Sequence, residues 1–407
     1  MTTAEQHDRS KLCTDLAHAD LVTALETAPE NAQVTTSVRF DANTVVEKKT
    51  FTQLELLLDC GVTLKDVQIG YETYGHLNSD LSNAIMVSHY FTGNSHAAGR
   101  YHEDDAEPGY WDNLIGPGKG IDTDRYFVIA TDSLCNLCVK NPMVITTGPA
   151  THHPETGRPW AAKFPVVTLG DDVKLQKALC EFMGIRKLHA VAGPSMGALQ
   201  TMEWTARFPD FVDRAICVIA AGLSTDAYLI ALLNTWMAPI RLDANFRNGD
   251  YYGRQEPMNG LTEALKLVTF NAVHFQWARR LYGRRWTDEA KNPLLNSDHE
   301  FSIESALQQT ARARALTSDA NSFMRLAQKV QLFNIADRKD KLRAKYLFVP
   351  ATTDLLMFPE YSYQGVGELK ALGLEASVVE IPGDGGHLDG LANAFKAADA
   401  IREFLDS

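Results

Sequence analysis

Six stretches of the chain are apolar almost without interruption and then give way to small or polar residues: "AIMVSHYF" (84–91), "YFVIATDS" (126–133), "LHAVAGPS" (188–195), "AICVIAAG" (215–222), "YLFVPATTD" (346–354) and "SVVEIPGD" (377–384). A strand with one wet face alternates polar and apolar residues. A strand that is apolar at successive positions is covered on both faces, as in a parallel sheet. Helical patterns lie between several of these runs. In "DDVKLQKALCEFMG" (171–184), Val173, Leu175, Leu179 and Phe182 read as one buried face and Gly184 as the stop. Strand, helix, strand in repetition predicts an α/β fold with right-handed crossovers and a mostly parallel sheet flanked by helices.

Two regions depart from that rhythm. "VTLKDVQIGYETYG" (62–75) alternates in the manner of antiparallel strands ending at Gly75. Residues 224–335 lack a core-strand pattern but repeat helical periodicity, as in "LTEALKLVTFNAVHFQWARRLYG" (261–283) and "FSIESALQQTARARAL" (301–316). They predict a helical lid inserted between two strands, so that the core domain comprises residues 41–223 and 336–407. Residues 1–40 read as a polar N-terminal extension.

With 407 residues, 45% of them hydrophobic and 22% charged, the chain has material for a large core. A formal net charge of −12 leaves no basic surplus to neutralise phosphates, which argues against nucleic acid and a polybasic membrane contact. No stretch approaches the ~20 apolar residues of a membrane helix. The start, "MTTAEQHDRSKLCTDLAHADL", lacks the basic and apolar segments of a signal peptide, so a cytoplasmic enzyme is expected. Cys135 and Cys138 form a lone C-x-x-C with no second pair, and His152 and His153 have no ligand spacing around them. Neither predicts a metal site.

The third run is the informative one. In "VAGPSMGALQ" (191–200) a buried strand ends at Ser195 and a helix begins at once. A serine there occupies a sharp turn, and Gly193 and Gly197 on either side of it avoid Cβ clashes in that turn. The turn lifts the serine oxygen above the sheet edge. It also sets the Met196 N–H at a helix N-terminus, where unpaired donors and the helix dipole favour negative charge. A serine hydroxyl needs a base and a group to orient that base. In the strand–elbow–helix arrangement of hydrolases these follow in the order acid, then histidine. Asp354 follows "YLFVPATT", and His387 follows "SVVEIPGDGG", whose glycines return the imidazole to the serine. The joint placement of Ser195, Asp354 and His387 predicts a catalytic triad. The loop in "SHYFTGNSHAAG" (88–99) supplies a second oxyanion donor, the Phe91 N–H, beside that of Met196.

From about residue 60 onward the chain resembles the homoserine O-acetyltransferase family of α/β-hydrolases. The resemblance rests on "SHYFTGNSHAAG", "GYWDNLIGPGKGIDTDRYFVI" (109–129), "GPSMGALQTMEWTARFPDFVDRAI" (193–216), "NFRNGDYY" (245–252), "TTDLLMFPEYS" (352–362) and "GDGGHLDG" (383–390). It implies the α/β-hydrolase fold, Ser195 as nucleophile, Asp354 as acid, His387 as base, a helical lid and a homodimer. The family's amino-acid acceptor has two charges to pair. Three positions that serve it in the family pattern are apolar here: Leu388, where an Asp faces the amino group, and Leu265 and Met237, where arginines stand. Lys266 and Arg241 are the alternative cations of that region. Unpaired charges cost several kcal/mol on burial. The expected activity is therefore a serine esterase cleaving short-chain, acetyl esters of simple alcohols, with Leu388, Leu265 and Met237 shaping the alcohol pocket and no cofactor. The alternative is an acetyl-CoA-dependent O-acetyltransferase acting on homoserine or another hydroxyl, with acetyl-CoA as co-substrate. An intact triad argues against a purely ligand-binding relative.

Overall fold

The computed structural model describes residues 45–407, so the extension at 1–40 lies outside the described residues. In chain order the strands are β1 (Lys49–Leu57), β2 (Thr63–Tyr74), β3 (Ala84–Ser88), β4 (Ile115–Gly116), β5 (Ile121–Asp122), β6 (Phe127–Thr131), β7 (Ala190–Pro194), β8 (Arg214–Val218), β9 (Lys345–Val349) and β10 (Ala376–Val378). Eight of them form one sheet in the order β1-β2-β6-β3-β7-β8-β9-β10, and β4 pairs with β5 apart from it. β2 runs antiparallel to both β1 and β6, and every later pairing is parallel.

Each of the six apolar runs overlaps one parallel strand. Their continuous hydrophobicity has the expected cause. Along β3, Met86 packs into a cluster with Leu179 and Trp204 on one face, while Ile85 and Val87 join Trp111, Ile401 and Leu405 on the other. β10 hydrogen-bonds over three residues only; its continuation is a single bridge between Ala351 and Ile381. β1 gave no period-two signal, because its apolar residues fall at 51, 54, 56 and 57. Phe51 and Leu56 are buried, and Leu54 and Leu57 face solvent.

Helix α1 (Leu169–Phe182) starts with a capping box: Thr168 Oγ1 accepts the Asp171 N–H and the Asp171 carboxylate accepts the Thr168 N–H. Val173, Leu175 and Leu179 are buried as expected, but Phe182 is 73% exposed. Nine residues from Val173 is about two and a half turns, which sets Phe182 on the opposite side, where it meets Phe51. Gly184 ends the helix with φ +81°. Helix α2 (Met196–Arg207) leaves the serine elbow and is buried along nearly its whole length.

Between β8 and β9 the chain forms α3 (Ala227–Leu242), α4 (Met258–Ala272), α5 (Phe275–Leu281), α6 (Ser302–Thr317) and α7 (Ala320–Gln331). Helix α4 packs on both α3 and α6, and α3 on α7. These lid helices roof the ends of β3, β7 and β9. Helix α7 ties them down: the Lys329 ammonium, wholly buried, donates to both oxygens of Asp172 in α1 at 2.9 and 2.7 Å and to Leu134 O at 2.6 Å. Helices α8 (Pro359–Ala371) and α9 (Ala398–Asp406) complete the cover. Among the described residues no helix is long and apolar enough to cross a membrane.

Candidate active site

The elbow is built by close approach. A Cβ at Gly197 would lie 2.2 Å from Ser88 O at the end of β3, and one at Gly193 would lie 2.6 Å from Gly197 O. With both glycines present, the β7–α2 turn sits directly against β3. The cost falls on Ser195, held at φ +57°, ψ −121°, in a region that L-residues avoid. Its N–H is anchored on Val218 O at 2.9 Å.

The acid and base arrive from the next two strands. Asp354 lies five residues beyond β9. Its Oδ1 accepts the N–H groups of Leu356 and Met357 at 2.8 and 2.9 Å, and its Oδ2 meets His387 Nδ1 at 2.6 Å. On the far side of the ring, His387 Nε2 stands 2.8 Å from Ser195 Oγ. All three side chains are buried. Nδ1–H therefore donates to the carboxylate and leaves Nε2 to take the serine proton, the arrangement that activates a hydroxyl. Thr353 staples the two loops: its hydroxyl donates to Gly383 O and accepts the Gly386 N–H. The glycines before His387 also have a packing role. The Asp389 carboxylate fills the space a Cβ would need at Gly383 and Gly385, and Gly386 takes φ +71°.

A cavity opens on Ser195 and His387, roofed by Leu229, Leu233, Trp236 and Val268 of the lid. Among the described residues no Asp or Glu lines it. Phe91 and Met196 border it, as does Leu388. Leu265 does not: it lines a neighbouring cavity. Met237 lines neither, being packed in the core where its Sδ accepts from Arg241. Neighbouring lid positions divide between chamber and core, as Trp236 borders the cavity and Met237 does not, and residue pattern alone does not tell them apart. The remaining pocket expectations are likewise redirected. Lys266 binds Glu263 and Gln308, and Arg241 binds Asn234. The cation that does reach the chamber is Arg314 of α6, which the sequence reading did not single out. Asp389, next to Leu388, is turned away, accepting from Gly385 N and Asn393 Nδ2.

Beneath the cavity floor, buried His89 donates through Nδ1 to Tyr90 O at 2.7 Å, and its Nε2 meets Asn136 Nδ2 at 3.2 Å. Burial pulls this imidazole down to about 4, so it is neutral. Tyr90 O also accepts the Gly93 N–H at 3.0 Å. Carbonyl and amide of one planar trans peptide point in opposite directions, so these two donors set the direction of the Phe91 N–H.

The family model described as the alpha/beta hydrolase fold matches residues 107–394. A homoserine O-acetyltransferase of Methanosphaerula palustris is 38% identical over 362 residues, covering 86% of this chain and 71% of that protein. Among solved structures, esterase E22 superposes with a TM-score of 0.84 at 44% identity, covering 89% of this chain and 100% of its own. The homoserine O-acetyltransferase of Bacillus anthracis does so with a TM-score of 0.85 at 38% identity, covering 90% and 99%. With a Ser195–His387–Asp354 triad on a mostly parallel sheet under a helical lid, the chain belongs to the α/β-hydrolases, in the branch that holds homoserine O-acetyltransferases and related esterases.

Proposed function

We propose that this protein is a serine esterase that cleaves short-chain, acetyl esters of simple alcohols. Ser195 Oγ attacks the ester carbonyl as its proton passes to His387 Nε2, and Asp354 stabilises the imidazolium. The Phe91 and Met196 amides hold the developing oxyanion. As the C–O bond breaks, His387 returns the proton to the departing alcohol. Water then gives a proton to the same ring and attacks the acyl-serine, and His387 returns that proton to Ser195 Oγ as the Oγ–acyl bond breaks and the acid leaves. The observation that carries this reading is Leu388 beside His387, on the wall of a chamber lined by no carboxylate. An acceptor's ammonium group would be buried there without a partner.

A second reading keeps the acyl-enzyme and changes its fate: acetyl passes from acetyl-CoA to homoserine or another hydroxyl. The names carried by the Methanosphaerula palustris and Bacillus anthracis proteins favour it, as does a guanidinium in the chamber wall. Incubation with an aryl acetate in plain buffer, followed by acetyl-CoA with homoserine, separates the two. Ester hydrolysis without acceptor acetylation is the expected result. Release of CoA that depends on homoserine would replace the esterase by the transferase.

A further inference from the structure

We infer that Arg314 is a specificity residue of the chamber and that the preferred ester carries one carboxylate and no ammonium group. The inference rests on the acyl-serine reading above and adds the class of substrate.

Arg314 sits on lid helix α6, and its side chain lines both the chamber of Ser195 and the neighbouring cavity. Its Nη2 donates to Thr92 Oγ1 at 2.8 Å and its Nη1 to Thr269 Oγ1 at 3.1 Å. Thr269 gives its own proton to Leu265 O at 2.9 Å, so the arginine uses a lone pair of a neutral hydroxyl. Among the described residues no carboxylate comes within 4.0 Å of this guanidinium. Elsewhere in the fold, Arg207, Arg280 and Arg338 each hold a carboxylate. Arg314 is thus a fixed cation, oriented by two threonines at the boundary between the largely apolar chamber of Ser195 and a neighbouring cavity that His96 and Glu107 line. Its planar fork suits a carboxylate held by two hydrogen bonds. Thr92 follows Phe91, whose amide faces the acyl carbonyl in the proposed mechanism, so the bound anion lies a few bonds from the reacting carbon. Because among the described residues no Asp or Glu lines the Ser195 chamber and Asp389 is turned away, a zwitterion bound within that chamber would satisfy the arginine and leave its ammonium unpaired. A monoanion satisfies it without that penalty.

The carboxylate can belong to the alcohol half or the acyl half, and isosteric pairs distinguish them. For the alcohol half, 3-acetoxypropanoate is compared with 3-methylbutyl acetate and with O-acetylserine, which adds only an ammonium. For the acyl half, monoethyl succinate is compared with ethyl 4-methylpentanoate. In one of these pairs the anionic ester is expected to exceed its neutral isostere in kcat/KM by roughly 10- to 100-fold, mostly through KM, with O-acetylserine well below 3-acetoxypropanoate. Arg314→Met should bring that ratio to one or below, and Arg314→Lys should restore part of it. Anionic and neutral esters cleaved equally by the wild type would overturn this inference and leave the esterase intact, a result that needs no variant to fold. A ratio unchanged in Arg314→Met would overturn the role of Arg314. Failure to cleave any of the esters would remove the esterase reading and this inference with it.

Discussion

At the scale of single residues, three side chains far apart in the chain meet at 2.6 and 2.8 Å, and all three were legible beforehand. Ser195, Asp354 and His387 each follow an apolar strand, so the sheet itself delivers them to one edge. Leu388 was legible for a related reason: it adjoins His387 and shares its loop. Replacing Leu388 by Asp puts a carboxylate on the apolar wall beside the catalytic ring. The expected outcome is a drop of about tenfold or more in kcat/KM for propyl acetate. Steady-state kinetics identical to wild type would show that this side chain does not touch the alcohol. Leu265, Met237 and Arg314 were not legible in the same way. Each stands on a lid helix, where a shift of one residue turns a side chain by about 100°, from the chamber to the core.

At the scale of elements, the elbow and the lid anchor carry the sharpest consequences. Gly197→Ala forces a methyl group against Ser88 O, so α2 has to move away from β3. The expected cost is about 3 kcal/mol in urea unfolding, with loss of catalytic activity as Ser195 leaves His387. A variant with wild-type stability would mean that the elbow tolerates the displacement. The lid depends on Lys329. Lys329→Met leaves Asp172 buried without its cation and is expected to cost about 3–5 kcal/mol. Adding Asp172→Asn should recover part of that loss, because the stranded charge is then gone. No recovery in the double variant would show that the lysine acts through packing alone. Neither device could be read from patterning. Lys329 lies in the last turn of an amphipathic helix, and only the docking of α7 on α1 makes it a buried ion.

At the scale of the whole molecule, acid is the expected weakness. Burial holds His89 at about 4 in the folded protein against an ordinary 6.5. Between those values the unfolded chain binds a proton that the native state refuses, so stability is complete above about pH 6.5 and falls as pH drops toward 4. The slope from this one group is at most about 1.4 kcal/mol per pH unit. Glu72 continues the loss at lower pH. Burial would raise it, but the His96 hydrogen bond and charge, with Lys48 and Tyr101, outweigh burial and hold it at about 2. Its contribution is complete above about 4.5 and disappears as pH falls toward 2. Thermal melts from pH 7 to 4 should show the decline, and His89→Gln should flatten the part between 6.5 and 4. An unchanged slope in that variant would acquit His89. By itself, the order of residues determined the α/β architecture, the elbow and the triad. Continuous apolar runs force a sheet covered on both faces, and that sheet carries whatever follows each strand to a common edge. Tertiary structure alone decided which lid side chains face the chamber, because a helix presents every side of itself and only its packing partners choose one. Where Arg314 points is a property of how α6 docks.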